Sequence, residues 1–364
     1  MPLYPLYALL FTDTGLSGGQ ISLLFAIWSA VGIAAEVPTG ALADRFSRRA
    51  SLVASGLLQA SGFALWTALP SFAVFAAGFV LWGLGGALPS GALEALLYDG
   101  LAAAGHSHRY VRVCGQVTAA GLIAQVPAAV AAVALFPLGG YRLVGWVSVA
   151  VCLTAAALAA RLPESVADSD EESCADGYFA TLRDGLREAA RRPAVRTAAL
   201  VLAALAGLDA FEEYFALLGA AWGVPTAVNP AFTLVITLGG AAGAALAGRA
   251  GWLPGGGLAG LMLAAAVALA GAAALDRPAG IVLVAVFYAL YRLVLVVADA
   301  RLQAVIAGAA RATVTSVAAL ATEVSAFLVY GAWAFGGVWC VAALTVALSI
   351  PLAGAAKGGK RARE

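Results

Sequence analysis

The feature that most constrains this chain is its rhythm. Apolar runs of about 20 residues, parted by short polar breaks, follow one another from end to end. They fall at 2–12, 19–42, 50–68, 72–98, 110–136 and 141–160, then at 194–219, 228–248, 255–275, 279–302, 312–333 and 335–355. Hydrocarbon admits only backbone whose N–H and C=O groups are paired internally, so runs of this length read as membrane helices. Hydrophobic residues make up 62% of the 364 and charged residues 11%, against about 25% charged in soluble domains. A water-soluble globule of this size has no interior large enough for so much apolar surface. The expectation is an all-α membrane protein of twelve helices. Run 2–12 would rise only about 16 Å as helix, about half the bilayer core, so helix 1 reads as truncated or as preceded by further chain.

Organisation follows from the breaks. Residues 1–160 form one expected six-helix bundle and 194–355 a second. Between them, 161–193 is a polar loop with eight acids and five arginines, whose stretch 178–192 fits a short amphipathic surface helix. Residues 356–364 form a basic tail. Placing the loop after the second run in the cytoplasm puts 18 of the 21 Lys and Arg residues inside. Arg142 and Arg277 then lie outside and Arg292 within a span. Both termini are therefore expected in the cytoplasm. No cleaved signal peptide is expected, so the first run is expected to stay in the membrane. The alanine- and arginine-rich usage suits a high-GC bacterium and hence its cytoplasmic (inner) membrane.

The halves repeat. At an offset of 208, Tyr7-Ala8-Leu9-Leu10 meets Phe215-Ala216-Leu217-Leu218, and Gly15, Gly32 and Gly40 meet Gly223, Gly240 and Gly248. At an offset of 205, Glu94-Ala95 meets Asp299-Ala300. Two similar six-helix halves imply a pseudo-twofold carrier with its site between them.

Between the second and third runs the chain reads Gly40-Ala41-Leu42-Ala43-Asp44-Arg45-Phe46-Ser47-Arg48-Arg49. This resembles the loop-2/3 signature of the major facilitator superfamily, with Ser47 where glycine is usual. The resemblance implies the family's twelve-helix transporter fold. It also implies a cytoplasmic gate at Gly40, Asp44, Arg45, Arg48 and Arg49, to which the repeat-related Glu94 and Asp299 are added at the inner mouth. The arginines alone also suit positive-inside anchors. The second copy is degraded: Gly248-Arg249-Ala250-Gly251 is followed by Trp252 in place of aspartate. The segments Glu94–Asp99 and Asp209–Phe215 look like those of an uncharacterised bacterial subgroup of the family. Family drug/proton antiporters often carry an arginine in helix 4, but here Phe79 precedes Gly83. Gly121 and Pro127 lack the spacing of the antiporters' helix-5 signature.

An ionised side chain at bilayer depth costs about 2.5–3.5 kcal/mol on insertion scales, so each should face a partner or water. The candidates are Glu36, Glu94, Asp209, Glu212, Glu213, Arg292, Asp299 and Glu323. Asp209, Arg292 and Glu323 fall nearest mid-membrane. On an α-helix Asp209, Glu212 and Glu213 share one face, and clustered carboxylates repel, so at least one is expected to hold a proton. Asp209 or Glu213 is the expected proton carrier, and Arg292 the counter-charge or substrate contact. A purely structural Arg292–acid pair is the rival reading. Pro38, Pro89 and Pro127 are expected to kink their helices. Trp28, Trp66, Trp82 and Tyr98 read as an interface belt or as cavity lining.

Other classes find little support. His106 and His108 are too few for a zinc site, and Cys114, Cys152, Cys174 and Cys340 show no ligand spacing, so no metal or cofactor is expected. A net charge of +1 gives no reason to expect nucleic acid. No nucleophile–base pair suggests an enzyme. The reading is a monomeric secondary transporter working by alternating access. Its partners are the bilayer, a small-molecule substrate and, as coupling ion, the proton. Export of a small apolar or cationic compound is expected first. Import of a sugar or metabolite, or a transporter-derived sensor, are the alternatives.

Overall fold

The computed structural model describes residues 1–45, 47–89, 92–103, 105–162, 193–305 and 311–361, and all regular structure among them is helical. The stretch 163–192, with the surface helix expected at 178–192, lies outside the described residues. So do the side chains of 36–45 and of Glu94, whose backbone is helical. The chain divides into two compact units, Met1–Tyr178 and Phe179–Glu364.

In the first unit a 3-10 turn, Tyr4–Leu6, leads into α1 (Tyr7–Asp13). Then come α2 (Gly18–Arg45), α3 (Arg48–Ala68), α4 (Phe72–Ala87), α5 (Ala92–Ala103), α6 (Tyr110–Ile123) and α7 (Gln125–Ala159). Helix α4 packs on α2 and α3, and α7 packs on α3. The expected span 72–98 is thus not one helix: it parts around Pro89. A proline removes one ladder donor and crowds the preceding turn, which accounts for the break. The expected run 110–136 also parts at Ala124, three residues before Pro127.

The core of this unit is aromatic. Phe11, Phe63, Trp66, Phe75 and Phe79 are fully buried, and Trp82 nearly so. Trp66 meets Phe79 at 4.8 Å and Phe63 at 5.6 Å, both edge-on, and its Nε1 donates to the Phe75 carbonyl at 3.1 Å. Gly78 leaves the space that this indole fills. Trp66 and Trp82 therefore belong neither to an interface belt nor to a cavity wall. Their rings hold α1, α3 and α4 together, and Trp28 joins them by stacking on Phe79. Tyr98 is half exposed against Tyr110.

The second unit holds α8 (Pro193–Gly207), a 3-10 segment (Leu208–Tyr214), α9 (Phe215–Ala221), α10 (Asn229–Ala250), α11 (Gly255–Leu275), α12 (Ile281–Val305) and α13 (Arg311–Arg361). Helix α10 packs on α12, α11 on α12 and α13, and α8 on α13. The seam between α10 and α12 is closed by small residues. A Cβ on Gly239 would come 2.9 Å from the Ala285 carbonyl, and one on Gly243 within 2.7 Å of Ala289 Cα. These glycines stand four apart and meet alanines four apart, the small-xxx-small pattern that lets helices touch along their backbones. The last helix runs through Arg361, so residues 356–361 of the basic tail extend it.

The repeat is visible in the backbone. The 3-10 turn ending at Leu6 and helix Tyr7–Asp13 recur, at an offset of 208, as a 3-10 segment ending at Tyr214 and helix Phe215–Ala221. Gly15 and Gly223 both turn left-handed just beyond. Long helices α7 and α13 each break at a glycine pair. Gly139–Gly140 has φ/ψ of −161/18 and 56/−154, and Gly336–Gly337 has −157/19 and 57/−143. The second residue of each pair occupies a region open essentially to glycine alone. Packing repeats too: α2 on α4 matches α10 on α12, and α3 on α7 matches α11 on α13.

Twelve separate membrane helices were expected. Among the described residues six stretches are long and apolar enough by themselves: 18–35, 112–159, 229–250, 255–275, 278–301 and 320–353. Two of these, at 48 and 34 residues, exceed the bilayer requirement of about 20 and contain the glycine breaks.

Candidate functional site

The site is built on the 3-10 segment Leu208–Tyr214, which interrupts what the sequence suggests is a continuous helix over 194–219. A 3-10 helix turns once in three residues. Leu208, Phe211 and Tyr214 thus share one edge, and all three are buried. Phe211 meets Phe215, Phe287 and Trp333, while Tyr214 stacks on Trp333 at 4.5 Å. That apolar edge fixes the turn. Asp209 and Glu212 form the next edge, and Ala210 and Glu213 the third.

The expectation that all three acids share a face is corrected by this geometry. Glu213 stands a third of a turn from the Asp209–Glu212 edge, because the local period is 3.0 rather than 3.6. Asp209 and Glu212 face α12. There Arg292 Nη1 donates to Asp209 Oδ2 at 2.8 Å. The Tyr288 hydroxyl oxygen lies 2.8 Å from Asp209 Oδ1 and 3.0 Å from Glu212 Oε2. Tyr288 and Arg292 are one helical turn apart, with the guanidinium carbon 5.9 Å from the phenol ring centre. Tyr291 is fully buried beside them, its hydroxyl 3.5 Å from the Ala206 carbonyl. Phe215 packs edge-on against the Tyr288 ring at 5.2 Å.

The close α10–α12 seam positions this cluster. Gly240 lies against the Tyr288 ring and the Arg292 stem, and a Cβ there would collide with the ring. The ion pair is about one-third exposed on each side. A lone charge at bilayer depth costs about 2.5–3.5 kcal/mol, and pairing offsets much of it.

The other expected site residues are dispersed. Glu323 is half-buried on α13, two residues before Ser325, whose Cβ faces Gly207. Two helical residues rotate it about 200° from that contact. Asp299 is exposed on α12. The side chains of Asp44, Arg45 and Glu94, and the surroundings of Gly40, lie outside the described residues. Arg48 opens α3, and Arg49 Nη1 donates to the Leu162 carbonyl at 3.5 Å, just past the end of α7. Ser47, where the signature usually has glycine, is the N-cap of α3: its side-chain oxygen accepts from Ala50 N at 3.0 Å. In the second copy of the motif, Trp252 Nε1 donates back to the Arg249 carbonyl at 2.7 Å. Arg301 of α12 donates to the Gly251 and Leu253 carbonyls. An arginine from a neighbouring helix thus ties down the loop in which Trp252 stands for aspartate.

Tyr288 and Tyr291 are the site residues that a reading restricted to charged side chains missed. Their signal is spacing: Tyr288 and Arg292 fall four apart in an otherwise apolar run.

The whole fold resembles solved transporters. A D-xylose-proton symporter matches with a TM-score of 0.70 at 15% identity, covering 96% of this chain and 91% of that one. A mutant form of the nucleoside transporter NupG matches with a TM-score of 0.67 at 13% identity, covering 98% and 94%. At such identities the likeness shows the fold alone. No curated protein matches the sequence. The family model for the Major Facilitator Superfamily matches residues 1–358. With that match over nearly its full length, and with helices able to cross a membrane, this chain is an integral membrane protein belonging to the Major Facilitator Superfamily of transporters.

Proposed function

We propose that the protein is a proton-coupled secondary transporter that takes up a small polar solute by alternating access. Asp209, Glu212, Tyr288 and Arg292 form its coupling site. The observation that carries this reading is the cluster itself: two carboxylates gathered by one guanidinium and one phenol in the apolar stretch of the chain. Ionisable groups at that depth are expensive and mark proton or substrate paths. The direction draws support from the structural neighbours, one a proton symporter of D-xylose and the other a nucleoside transporter. Hydroxyl-rich solutes also suit a site of hydrogen-bonding side chains.

A second reading is export of a cationic compound, favoured by the acidic excess of the cluster. In either reading the chain makes twelve passes, α7 and α13 each doubling back at their glycine pairs. Both termini face the cytoplasm of a bacterial inner membrane, and the protein acts as a monomer. Asp44, Arg45, Arg48, Arg49, Glu94 and Asp299 contribute to the inner gate. Glu213 and Glu323 stay as secondary acids of the path.

Proteoliposome flux tests this. Uptake of D-xylose and uridine should rise when the lumen is made alkaline and collapse with a protonophore. Glu212→Gln should abolish gradient-driven uptake while sparing solute exchange. Ethidium expelled against an opposing proton gradient would favour the export reading. Flux of no probe, with binding retained, would favour a sensor.

A further inference from the structure

The contacts of Tyr288 can be counted in protons. A phenol has one hydrogen to give and two lone pairs to receive, whereas an ionised carboxylate only receives. Oxygens 2.8 and 3.0 Å away both lie at hydrogen-bonding distance. Two full-strength bonds among three oxygens need two hydrogens, since one hydrogen shared between two acceptors weakens each, and the phenol supplies one. The second must sit on a carboxyl. Asp209 already accepts from Arg292 Nη1 at 2.8 Å, whereas the described hydrogen bonds of Glu212 run to Tyr288 alone. That leaves Glu212.

Charge gives the same answer. With both acids ionised, the three charged groups sum to −1. With one proton bound, the cluster is neutral and cheaper to hold at bilayer depth. The remaining groups on the packed elements do not supply the missing hydrogen to Tyr288. Tyr291 directs its own to the Ala206 carbonyl. Glu213 stands on another edge of the 3-10 turn. Glu323 is rotated away from the contact that α13 makes with Gly207. Tyr214 packs into the apolar edge with Tyr330 and Trp333.

Resting on the proton-coupled reading above, we propose that Glu212 stores the single exchangeable proton of the cycle. Tyr288 positions it by accepting from Glu212 while donating to Asp209, and Asp209 stays bonded to Arg292. Release leaves a Glu212 carboxylate, puts the proton into water and returns the cluster to −1. Arg292 then faces two carboxylates, and the local arrangement changes. One proton moves per cycle.

Infrared spectroscopy of the full chain in lipid nanodiscs reads this directly. At neutral pH the wild type should show one carboxylic C=O band that shifts in D2O. The band should vanish in Glu212→Gln and persist in Glu213→Gln. In Tyr288→Phe, which keeps the fold-defining ring, it should move to higher frequency because the acid loses its acceptor. This second variant keeps the test decisive if Glu212→Gln fails to fold. A wild type without such a band, or a band that survives Glu212→Gln, overturns the proposal. Should the band behave as stated while D-xylose and uridine flux ignores the pH gradient, the transport reading fails and the proton assignment stands.

Discussion

Gly243→Ala probes the seam that carries the site. The added methyl would lie within 2.7 Å of Ala289 Cα, and a Cβ on Gly239, four residues earlier, would likewise come 2.9 Å from the Ala285 carbonyl oxygen. Carbon atoms rest at about 3.5–4.0 Å, so α10 and α12 must part by about 1 Å. Backbone cannot rotate out of the way as a side chain can. A gap of that size forfeits about a quarter to a half of each dispersion contact along the seam. Overpacking of this kind costs about 2–3 kcal/mol. For a unit of this length each kcal/mol lowers Tm by about 2–4 °C, so the unfolding midpoint should fall by about 4–12 °C. The matched control is Gly248→Ala in the same helix, where a Cβ meets nothing within 4 Å and alanine is the better helix former. Differential scanning fluorimetry of both variants in one detergent, at one scan rate, makes the comparison. The same displacement should draw Tyr288 out of reach of Asp209 and Glu212, so gradient-driven flux should fall with stability. Equal melting of the two variants would refute the close-packed seam.

Three further outcomes are expected. Gly140→Ala and Gly337→Ala each force a Cβ into a glycine-only conformation, and should cost about 1–3 kcal/mol apiece, read as matched drops in Tm. Arg292→Met should lower stability and abolish gradient-driven flux. Asp209→Asn in the same chain should restore part of the stability, giving a coupling energy of about 0.5–3 kcal/mol in a double-mutant cycle. Ser47→Ala removes the cap of α3 at a cost of about 1 kcal/mol. Ser47→Gly, the usual residue of the signature, should cost only a few tenths, measured by thermal unfolding in detergent.

Much of the architecture was legible because burial in lipid leaves a coarse mark. The ends of the apolar runs fall close to the helix ends at Ala68, Ala250 and Leu275, where polar residues, glycine or proline make continuation unfavourable. The break at 137–140 was legible in the same way. What the pattern hid was the 3-10 segment. Leu-Asp-Ala-Phe-Glu-Glu-Tyr contains good helix formers, and only its apolar period of three, at Leu208, Phe211 and Tyr214, gives it away. Reading it at 3.6 put Glu213 on the wrong edge and favoured it over Glu212. The tryptophans misled for a different reason. An indole's amphipathic outline suits an interface as well as a core, and nothing local to Trp66 says that Phe75 will offer a carbonyl to its N–H. Tyr288 went unnoticed because a neutral phenol acquires its meaning only from two oxygens some 76 and 79 residues away in the chain.

Trp333 rests face-on against Tyr214, at the end of the segment that carries the acids, and touches Phe211 within it. An excited indole is quenched and colour-shifted by the rings and dipoles around it, so this native fluorophore reports on the turn that carries Asp209 and Glu212. Taken as the difference from a Trp333→Phe variant, its emission offers a label-free readout of the state of that turn, whichever solute is present.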